Sequence, residues 1–295
     1  MRILLTGANG QLGRCFQDRL PAEWEILATD TAELDITEIE HIEQTVKQFK
    51  PDAIVNAAAY TAVDKAESEP ELAAKINVTG PENLAIVASK QGIRLVHVST
   101  DYVFDGNAAE PYSEDSATNP LSVYGKTKLA GEQAVAKASS EAIIVRTAWV
   151  FSEYGNNFVK TMLRLGKERD ALSVVNDQRG CPTYAGDLAQ AIISLLEKNA
   201  EGGIYHYCGD KEVSWYEFAE EIFRTAVKIN KLAEAPTIKP VTTREFSTVA
   251  IRPKYSTLNT SKIEVIDIIS SRWIESLSEI IAKFNEKSPE LSTQE

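Results

Sequence analysis

The sequence is poor in the residues that build disulfide-stabilised or metal-centred proteins. Its 295 residues include only 3 Cys and 3 His. Cys15, Cys181 and Cys208 are widely separated and form no Cys-x-x-Cys pair, so we expect reduced thiols in a cytoplasmic protein rather than a disulfide framework. No two His residues lie at the spacing of metal ligands, and no metal site is therefore predicted.

Positive charge and long apolar runs are also scarce. Lys and Arg number 31 against 43 Asp and Glu, a formal net charge of −12. Sequence-independent binding to nucleic acid needs a basic face on the protein, and so does binding to an anionic membrane surface. Neither partner is therefore expected. No apolar run approaches the roughly 20 residues of a membrane span. Residues 1–5 lead straight into a glycine-rich turn, which leaves no room for a signal peptide.

Short apolar runs alternate with helical patterns in the first half of the chain. The runs are apolar almost throughout, as in parallel strands that are covered on both faces. They occupy residues 3–6, 26–29, 53–57, 95–99 and 143–147. The helical patterns occupy residues 11–20, 39–49, 81–90 and 123–136. This alternation predicts an α/β fold with a doubly wound, Rossmann-type parallel sheet.

After about residue 150 the alternation loosens. Amphipathic helices are predicted at residues 158–165, 186–197, 215–226 and 273–284, with Pro-containing segments between them. We therefore predict a dinucleotide-binding domain at 1–150, with return segments around 172–208. A smaller C-terminal unit, 151–295, is predicted to bind mainly the substrate. The polar tail after about Lys287 is expected to fray.

A glycine-rich turn follows the first predicted strand. Gly7 allows a tight exit from the strand, Gly10 lets the backbone approach a pyrophosphate, and Gly13 lets the next helix pack closely. The N-terminus of that helix offers unpaired N–H groups to phosphates. An ordinary strand-to-helix turn is the alternative reading. The predicted cofactor contacts in the turn are Gly7, Asn9, Gly10, Gln11, Leu12 and Gly13.

Further cofactor contacts are predicted where the second and third strands end. Asp30 can accept hydrogen bonds from an adenosine ribose, although it could equally cap a strand-helix junction. Ala57, Ala58 and Ala59 are small enough for a dinucleotide to lie against the backbone. Asp30 would repel a 2′-phosphate, and Arg14 is the only obvious basic residue nearby. We therefore predict NADH as the preferred cofactor, with NADPH possible.

A hydroxyl and a Tyr/Lys pair complete the predicted active site. Lys128 lies one helical turn after Tyr124, and its charge is expected to lower the pKa of the phenol from about 10. Lys128 can also hold the nicotinamide ribose. Thr100 ends the fourth strand, at the sheet edge where ligands bind, and can bond a substrate oxygen. Each motif alone is common, but in this order they predict a nicotinamide oxidoreductase.

These residues resemble the extended branch of the short-chain dehydrogenases/reductases, which uses the spacing Gly-x-x-Gly-x-x-Gly. Within it, the chain resembles the dTDP-4-dehydrorhamnose reductase family up to about residue 285. Six segments carry this resemblance, at 100–106, 124–132, 146–150, 156–159, 177–183 and 252–256. The resemblance implies NADH- or NADPH-dependent reduction of the C4 ketone of dTDP-4-dehydro-L-rhamnose to dTDP-L-rhamnose, the last step of dTDP-rhamnose biosynthesis.

The same resemblance implies roles for single residues. Tyr124 is the acid with Lys128 as its partner, while Thr100 and Asp101 contact the sugar. Asp35 and Ile36 form the pair that holds the adenine. On the substrate side, the smaller unit offers ring, amide and cationic groups to a dTDP-linked 4-keto-6-deoxy sugar. These are Trp149 for stacking, Asn156 and Asn157 for hydrogen bonds, and Arg252 for the diphosphate.

Related functions remain open at this point. Sugar-nucleotide 4,6-dehydratases carry a Glu base where this chain has Tyr102, which argues against dehydration. A reductase or epimerase of another sugar nucleotide, and a non-catalytic NADP-binding regulatory subunit like that of methionine adenosyltransferase, are the alternatives. Some family members form a magnesium-bridged homodimer through an acid on the first helix. Cys15 lies in that neighbourhood, and a thiol is a poor magnesium ligand, so this dimer is doubtful here.

Overall fold

The computed structural model describes residues 1–284. The predicted tail after Lys287 and the end of the predicted 151–295 unit lie outside the described residues. The strands are β1 (Arg2–Thr6), β2 (Glu25–Thr29), β3 (Ala53–Asn56), β4 (Arg94–Thr100), β5 (Ile143–Thr147), β6 (Val150–Phe151), β7 (Ala171–Val175), β8 (Arg179–Gly180), β9 (Thr183–Tyr184), β10 (Gly203–His206), β11 (Val213–Ser214) and β12 (Thr237–Val241).

The helices alternate with these strands. They are α1 (Gln11–Asp18), α2 (Ile39–Phe49), α3 (Val63–Ala66), α4 (Pro70–Ala74), α5 (Gly80–Gln91), α6 (Val123–Ala138), α7 (Phe158–Glu168), α8 (Ala185–Glu197), α9 (Trp215–Lys228), α10 (Ser261–Glu264) and α11 (Trp273–Lys283). A π-helical turn, Lys75–Thr79, joins α4 to α5, and a 3₁₀ turn, Asp101–Val103, follows β4. No helix within residues 1–284 is both long and apolar enough to cross a membrane.

The central sheet has the strand order β2-β1-β3-β4-β5-β10, and every neighbouring pair is parallel. The chain winds outward in opposite directions from β1 and β3, so a crevice opens between the carboxyl ends of these strands. This arrangement confirms the predicted α/β class and the doubly wound, Rossmann-type parallel sheet.

Alternation along each strand explains why the strand segments are apolar throughout. Ile3 and Leu5 of β1 pack into the core layer that includes α1 and α8, while Leu4 packs into the layer of α2 and α5. All three side chains have no exposed surface. Successive side chains of a strand point to opposite faces, and helices cover both faces of this sheet.

The second half of the chain contributes to the same sheet and builds smaller ones. From the region predicted to return, β10 adds the outermost strand beside β5, and α8 packs against α1. Outside the central sheet, β7 pairs with β12, β6 with β9 and β8 with β11. The helix patterns correspond to α7, α8, α9 and α11, whereas these short strand pairs had no clear sequence signal. The domain boundaries themselves stay a prediction.

Candidate active site

A cleft of about 840 Å³ runs along the carboxyl ends of the central strands, within the size range of small-molecule sites. It brings most of the predicted site residues together. Those lining it are Gly7, Gly10, Gln11, Leu12, Asp30, Asp35, Ile36, Ala57, Ala58, Ala59, Thr100, Asp101, Tyr124, Lys128, Trp149 and Asn156. Asn9, Gly13, Asn157 and Arg252 were also predicted as contacts but are not among the lining residues.

The glycines of the first turn serve different purposes. Gly7 has a φ of +69°, and a Cβ there would lie 2.6 Å from the backbone nitrogen of Ala58. A Cβ on Gly13 would lie 2.2 Å from the Gly7 carbonyl oxygen. A Cβ on Gly10 would contact only the Gly7 carbonyl oxygen, at an ordinary van der Waals distance of 3.4 Å. Gly7 and Gly13 are therefore required by the packing of the protein itself, whereas Gly10 leaves its open side to a ligand.

Two acids at the far end of the cleft are held in fixed orientations. The Asp30 carboxylate accepts hydrogen bonds from the backbone N–H groups of Asn9, at 3.0 Å, and Thr31, at 2.8 Å. Asn9 thus acts through Asp30 instead of lining the cleft. The Asp35 carboxylate accepts bonds from the hydroxyl and backbone N–H of Thr37, which lower its pKa. Both acids keep carboxylate surface at the cleft, where ribose hydroxyls or an adenine amine could donate to them.

The cation that lines this part of the cleft is not the one that the sequence suggested. The Arg14 guanidinium lies over the ring of Tyr154, 5.6 Å from its centroid, and Arg14 does not line the cleft. Lys75 lines the cleft instead, with its Nζ 3.5 Å from Glu38 Oε1. Lys75 lies in the π-helical turn, far along the chain from Asp30, so nothing in the local sequence marked it.

The alanine loop after β3 is tied to the helix that carries Tyr124 and Lys128. Asn77, in the π-helical turn, accepts a hydrogen bond from the backbone N–H of Tyr60 at 2.8 Å. Its amide donates to the hydroxyl of Thr127 on α6 at 3.1 Å. Gly131 permits this close packing, because a Cβ there would lie 2.0 Å from the Asn77 carbonyl oxygen. The cofactor loop and the Tyr/Lys helix are therefore held in register.

Thr100, Asp101 and Tyr124 meet at the end of β4. The Thr100 hydroxyl donates to Asp101 Oδ1 at 3.0 Å and is also hydrogen-bonded to Tyr124. Burial raises the pKa of Asp101 to about 6. The second carboxylate oxygen, Asp101 Oδ2, is buried, and the Ser256 side chain is also hydrogen-bonded to this carboxylate. Tyr124 packs edge to face on Tyr102, with their ring centroids 5.5 Å apart.

The structure corrects the expected effect of Lys128 on the tyrosine. Burial raises the pKa of Tyr124 to about 12, although its bond with Thr100 acts in the opposite direction. Lys128 donates from Nζ to the carbonyl oxygen of Val98 at 2.7 Å, and burial lowers the pKa of Lys128 to about 8. Desolvation of the phenol outweighs any attraction from the ammonium. Tyr124 thus keeps its proton through neutral pH, as a proton donor to a ketone oxygen requires.

Aromatic rings line the other end of the cleft. Trp149 has a φ of +49°, an uncommon conformation for a residue with a side chain. Its indole is stacked on that of Trp215, with ring centroids 3.6 Å apart and planes 6° from parallel. One face of Trp149 is therefore already covered. Trp215 opens α9 and lines the cleft, but no nearby motif singled it out.

The two amides predicted at this end have different surroundings. Asn156 lines the cleft. Asn157 instead caps α7, accepting from the backbone N–H of Lys160 at 3.1 Å, and its amide donates to the side chain of Gln11 at 3.0 Å. Asn157 thus positions a residue of the glycine turn. This contact joins the two ends of the cleft through side chains.

Arg252, predicted to contact a diphosphate, is held beside the cleft by another residue. Its Nη2 lies 2.6 Å from Asp64 Oδ2, and the Arg252 side chain is 21% exposed. The guanidinium is also hydrogen-bonded to Tyr102, which does line the cleft. The structure therefore places Arg252 at the edge of the predicted substrate site.

Cys15 is buried, and its burial raises the pKa of the thiol to about 12. A protonated, buried thiol is not a ligand for magnesium. Within residues 1–284, no three His, Cys, Asp or Glu side chains are grouped so that they could hold a metal ion. Whether the chain dimerises stays a prediction.

A parallel sheet with a glycine turn after its first strand, and a Thr, Tyr and Lys at the switch-point cleft, define the short-chain dehydrogenase/reductase class. Within that class, residues 1–286 match the family described as RmlD substrate binding domain, and the chain belongs to this family. UDP-glucose 4-epimerase of Thermus thermophilus, at 20% identity and a TM-score of 0.79, shares the fold.

Closer relatives agree with this assignment. A dTDP-4-dehydrorhamnose reductase of Aggregatibacter actinomycetemcomitans is 47% identical over 289 residues, covering 95% of this chain and 98% of the relative. The solved dTDP-4-dehydrorhamnose reductase of Clostridium acetobutylicum has a TM-score of 0.90 and 45% identity, covering 96% of this chain and 99% of its own. The reductase of Bacillus anthracis, solved in complex with NADP, has a TM-score of 0.90 and 42% identity, covering the same shares.

Proposed function

We propose that this protein catalyses the NAD(P)H-dependent reduction of the C4 ketone of dTDP-4-dehydro-L-rhamnose to dTDP-L-rhamnose. The observation that carries the proposal is the meeting of Thr100, Tyr124 and Lys128 at the carboxyl end of β4, in the same cleft as the glycine turn. Family membership supplies the substrate class, since the relatives described above are named for this reaction.

The residues divide the chemistry between them. The nicotinamide cofactor, when bound, supplies the hydride that reduces the ketone. Tyr124 donates the proton to the ketone oxygen. Its raised pKa means that the phenol carries this proton at neutral pH. Thr100 turns its single hydroxyl proton from Asp101 to the ketone oxygen and so stabilises the negative charge that develops there. Lys128, held by Val98, orients the nicotinamide ribose.

The dinucleotide is proposed to lie along the glycine turn and the alanine loop. The open side of Gly10 and the N-terminus of α1 receive the pyrophosphate. Asp30 accepts from the adenosine ribose, and Asp35 with Ile36 holds the adenine. In this arrangement residues 1–150, with return segments around 172–208, bind the cofactor, and the remainder of 151–295 binds mainly the substrate.

We propose NADH as the preferred form of the cofactor. Asp30 presents a carboxylate where a 2′-phosphate would lie, and its orientation is fixed by the backbone of Asn9 and Thr31. Lys75 at the same end of the cleft provides a cation that allows NADPH to be used less efficiently. The Bacillus anthracis relative was solved in complex with NADP. The ratio of kcat/KM for NADH to that for NADPH therefore tests the proposed preference.

The sugar nucleotide is proposed to extend from Tyr124 toward the second half of the chain. Asp101 lines the cleft and bonds the sugar, and Asn156 provides an amide. The Trp149–Trp215 pair provides an apolar wall for the sugar or the base. Arg252 contacts the diphosphate from the edge of the cleft.

The decisive experiment gives purified protein dTDP-4-dehydro-L-rhamnose and NADH. We expect one NADH oxidised per dTDP-L-rhamnose formed, with the product identified by NMR. Tyr205→Phe is the matched control for a Tyr124→Phe variant in this assay. It removes a phenol hydroxyl that does not line the cleft and that donates to the Glu201 carbonyl oxygen at 2.9 Å. A product of another configuration would indicate a different reductase. Cofactor binding without turnover would favour the regulatory role instead.

A further inference from the structure

A single carboxylate joins the segment 249–252 to the first half of the chain. Asp64, in the short helix α3, accepts hydrogen bonds from the backbone N–H of Ala250 at 2.9 Å and from Nη1 and Nη2 of Arg252 at 3.1 and 2.6 Å. The backbone N–H of Val249 also donates to it. These bonds hold the Asp64 pKa below its usual range, with that of Arg252 the strongest, so Asp64 is charged at neutral pH.

Apolar packing holds one residue of this segment in place, Ala250, which is 1% exposed. Val249 is 73% exposed and Ile251 64% exposed. Among residues 1–284, the other polar contact from 247–252 to the rest of the chain is that of Arg252 with Tyr102. Because a single alanine buries little apolar area, the position of this segment depends largely on the polar contacts with Asp64 and Tyr102.

The segment lies at the edge of the substrate end of the cleft. Val63, the neighbour of Asp64 in the chain, lines the cleft, and so does Tyr102, which bonds Arg252. Tyr102 in turn packs on Tyr124, with ring centroids 5.5 Å apart. A guanidinium at this edge can reach a diphosphate whose sugar is at Tyr124.

We propose that Asp64 is a positioning residue for the diphosphate of the sugar nucleotide: it fixes the segment 249–252 and presents the Arg252 guanidinium to that group. This inference rests on the proposed function. A guanidinium has five N–H donors. Asp64 accepts from two of them, the Ala250 carbonyl oxygen from a third and Tyr102 from a fourth, which leaves one donor for the diphosphate. The pair also neutralises Asp64, whose charge would otherwise repel a diphosphate in a protein of net charge −12.

Affinity for dTDP, a nucleoside diphosphate without the sugar, separates this role from catalysis. We expect Arg252→Ala to raise the Kd of dTDP about 10- to 100-fold, because it removes charge-assisted hydrogen bonds. Asp64→Asn should raise it roughly 3- to 10-fold, because the guanidinium remains but is no longer held. In both variants the Kd of NADH should stay within about 2-fold of wild type, because neither residue lines the cofactor end of the cleft.

An exchange of the two residues distinguishes positioning from a structural tie. The double variant Asp64→Arg with Arg252→Asp can re-form the ion pair, so we expect its melting temperature to exceed that of Asp64→Arg alone. Its Kd for dTDP should nevertheless remain as high as that of Arg252→Ala, because the guanidinium is then at position 64 and not at position 252. Glu25→Gln is the matched control, since it breaks an ion pair of the same 2.6 Å length at the start of β2.

The outcomes are separable. If the double variant recovers both dTDP affinity and stability, the ion pair has only a structural role, and the inference is overturned. An unchanged dTDP Kd in Asp64→Asn would do the same. If the dTDP affinities follow the expected order but wild type forms no dTDP-L-rhamnose, the diphosphate assignment stands and the proposed reaction is wrong.

Discussion

The two ends of the cleft are built in different ways. At the proposed cofactor end, the glycine turn and the alanine loop present backbone and very small side chains, such as Gly7, Gly10 and Ala58, from the first 60 residues of the chain. The substrate end consists of large or charged side chains that come from distant segments, such as Trp215 and Arg252. One end depends on the absence of side chains, and the other on contacts between them.

This difference teaches what each end should tolerate. At the cofactor end, an added Cβ meets backbone that cannot move aside, so substitutions should act through sterics. Near Tyr124, groups are desolvated and the pKa values of Asp101 and Lys128 are displaced toward neutrality. Substitutions and pH there should act through charge.

The largest expected effect is that of Tyr124→Phe. The ring still packs on Tyr102, but the proton donor is lost, so kcat should fall roughly 10²- to 10⁴-fold. The Kd of NADH should change by less than about 2-fold, in contrast to Lys128→Met, which should weaken both turnover and NADH binding. Stopped-flow and fluorescence titrations measure the two quantities. Near-normal turnover in Tyr124→Phe would refute the assigned acid.

Steric sensitivity of the cofactor end is tested by Gly7→Ala. The positive φ costs a residue with a side chain about 1–3 kcal/mol, and here the Cβ would also lie 2.6 Å from the Ala58 nitrogen. We expect a loss above about 2 kcal/mol in urea unfolding, with weaker NADH binding. Gly92→Ala is the matched control, because Gly92 has a φ of +67° but no atom near its Cβ position. Equal losses in the two variants would contradict the steric argument.

Charge sensitivity near Tyr124 is tested by Asp101→Asn. The folded protein raises the pKa of Asp101 from 3.8 to about 6. The folded state therefore binds the proton more tightly than the unfolded chain. This stabilisation is complete below about pH 4 and is lost as pH rises through 6. Asn cannot titrate, so the variant does not lose this stabilisation. Its free energy of unfolding relative to that of wild type should therefore increase by roughly 1–3 kcal/mol between pH 4 and pH 7.5.

The matched control for this titration is Asp105→Asn. Hydrogen bonds, first among them that of the Asn107 backbone, lower the pKa of Asp105. Its contribution is present above the ordinary pKa and is lost as pH falls, so the relative stability of Asp105→Asn should change in the opposite direction. Parallel pH dependence of the two variants would rule out desolvation as the cause at Asp101.

The smallest expected effect concerns the choice of cofactor. Because Asp30 disfavours a 2′-phosphate, kcat/KM should favour NADH over NADPH by up to about tenfold. Lys75→Met should lower kcat/KM for NADPH more than for NADH, since only the phosphate needs the cation. Arg14→Met serves as the control and should leave the ratio unchanged. A tenfold preference for NADPH in the wild type would contradict the role of Asp30.

The sequence by itself determined the layered fold and the chemical centre of the site. Continuous apolar runs predicted parallel strands, because a strand buried on both faces needs apolar residues at every position. Thr100, Tyr124 and the Gly7 turn could be expected to meet, because all parallel strands end at one edge of the sheet. The motif order was sufficient, and no knowledge of the strand order was required.

Only the tertiary structure decided the electrostatics and the long-range contacts. The pKa of Tyr124 depends on how completely its ring is desolvated, and Lys128 turns to Val98 because that carbonyl lies within reach. Trp215 meets Trp149, and Asp64 meets Arg252, across long stretches of chain. Local patterns record propensity and spacing, whereas burial and the pairing of distant side chains arise only when the layers pack.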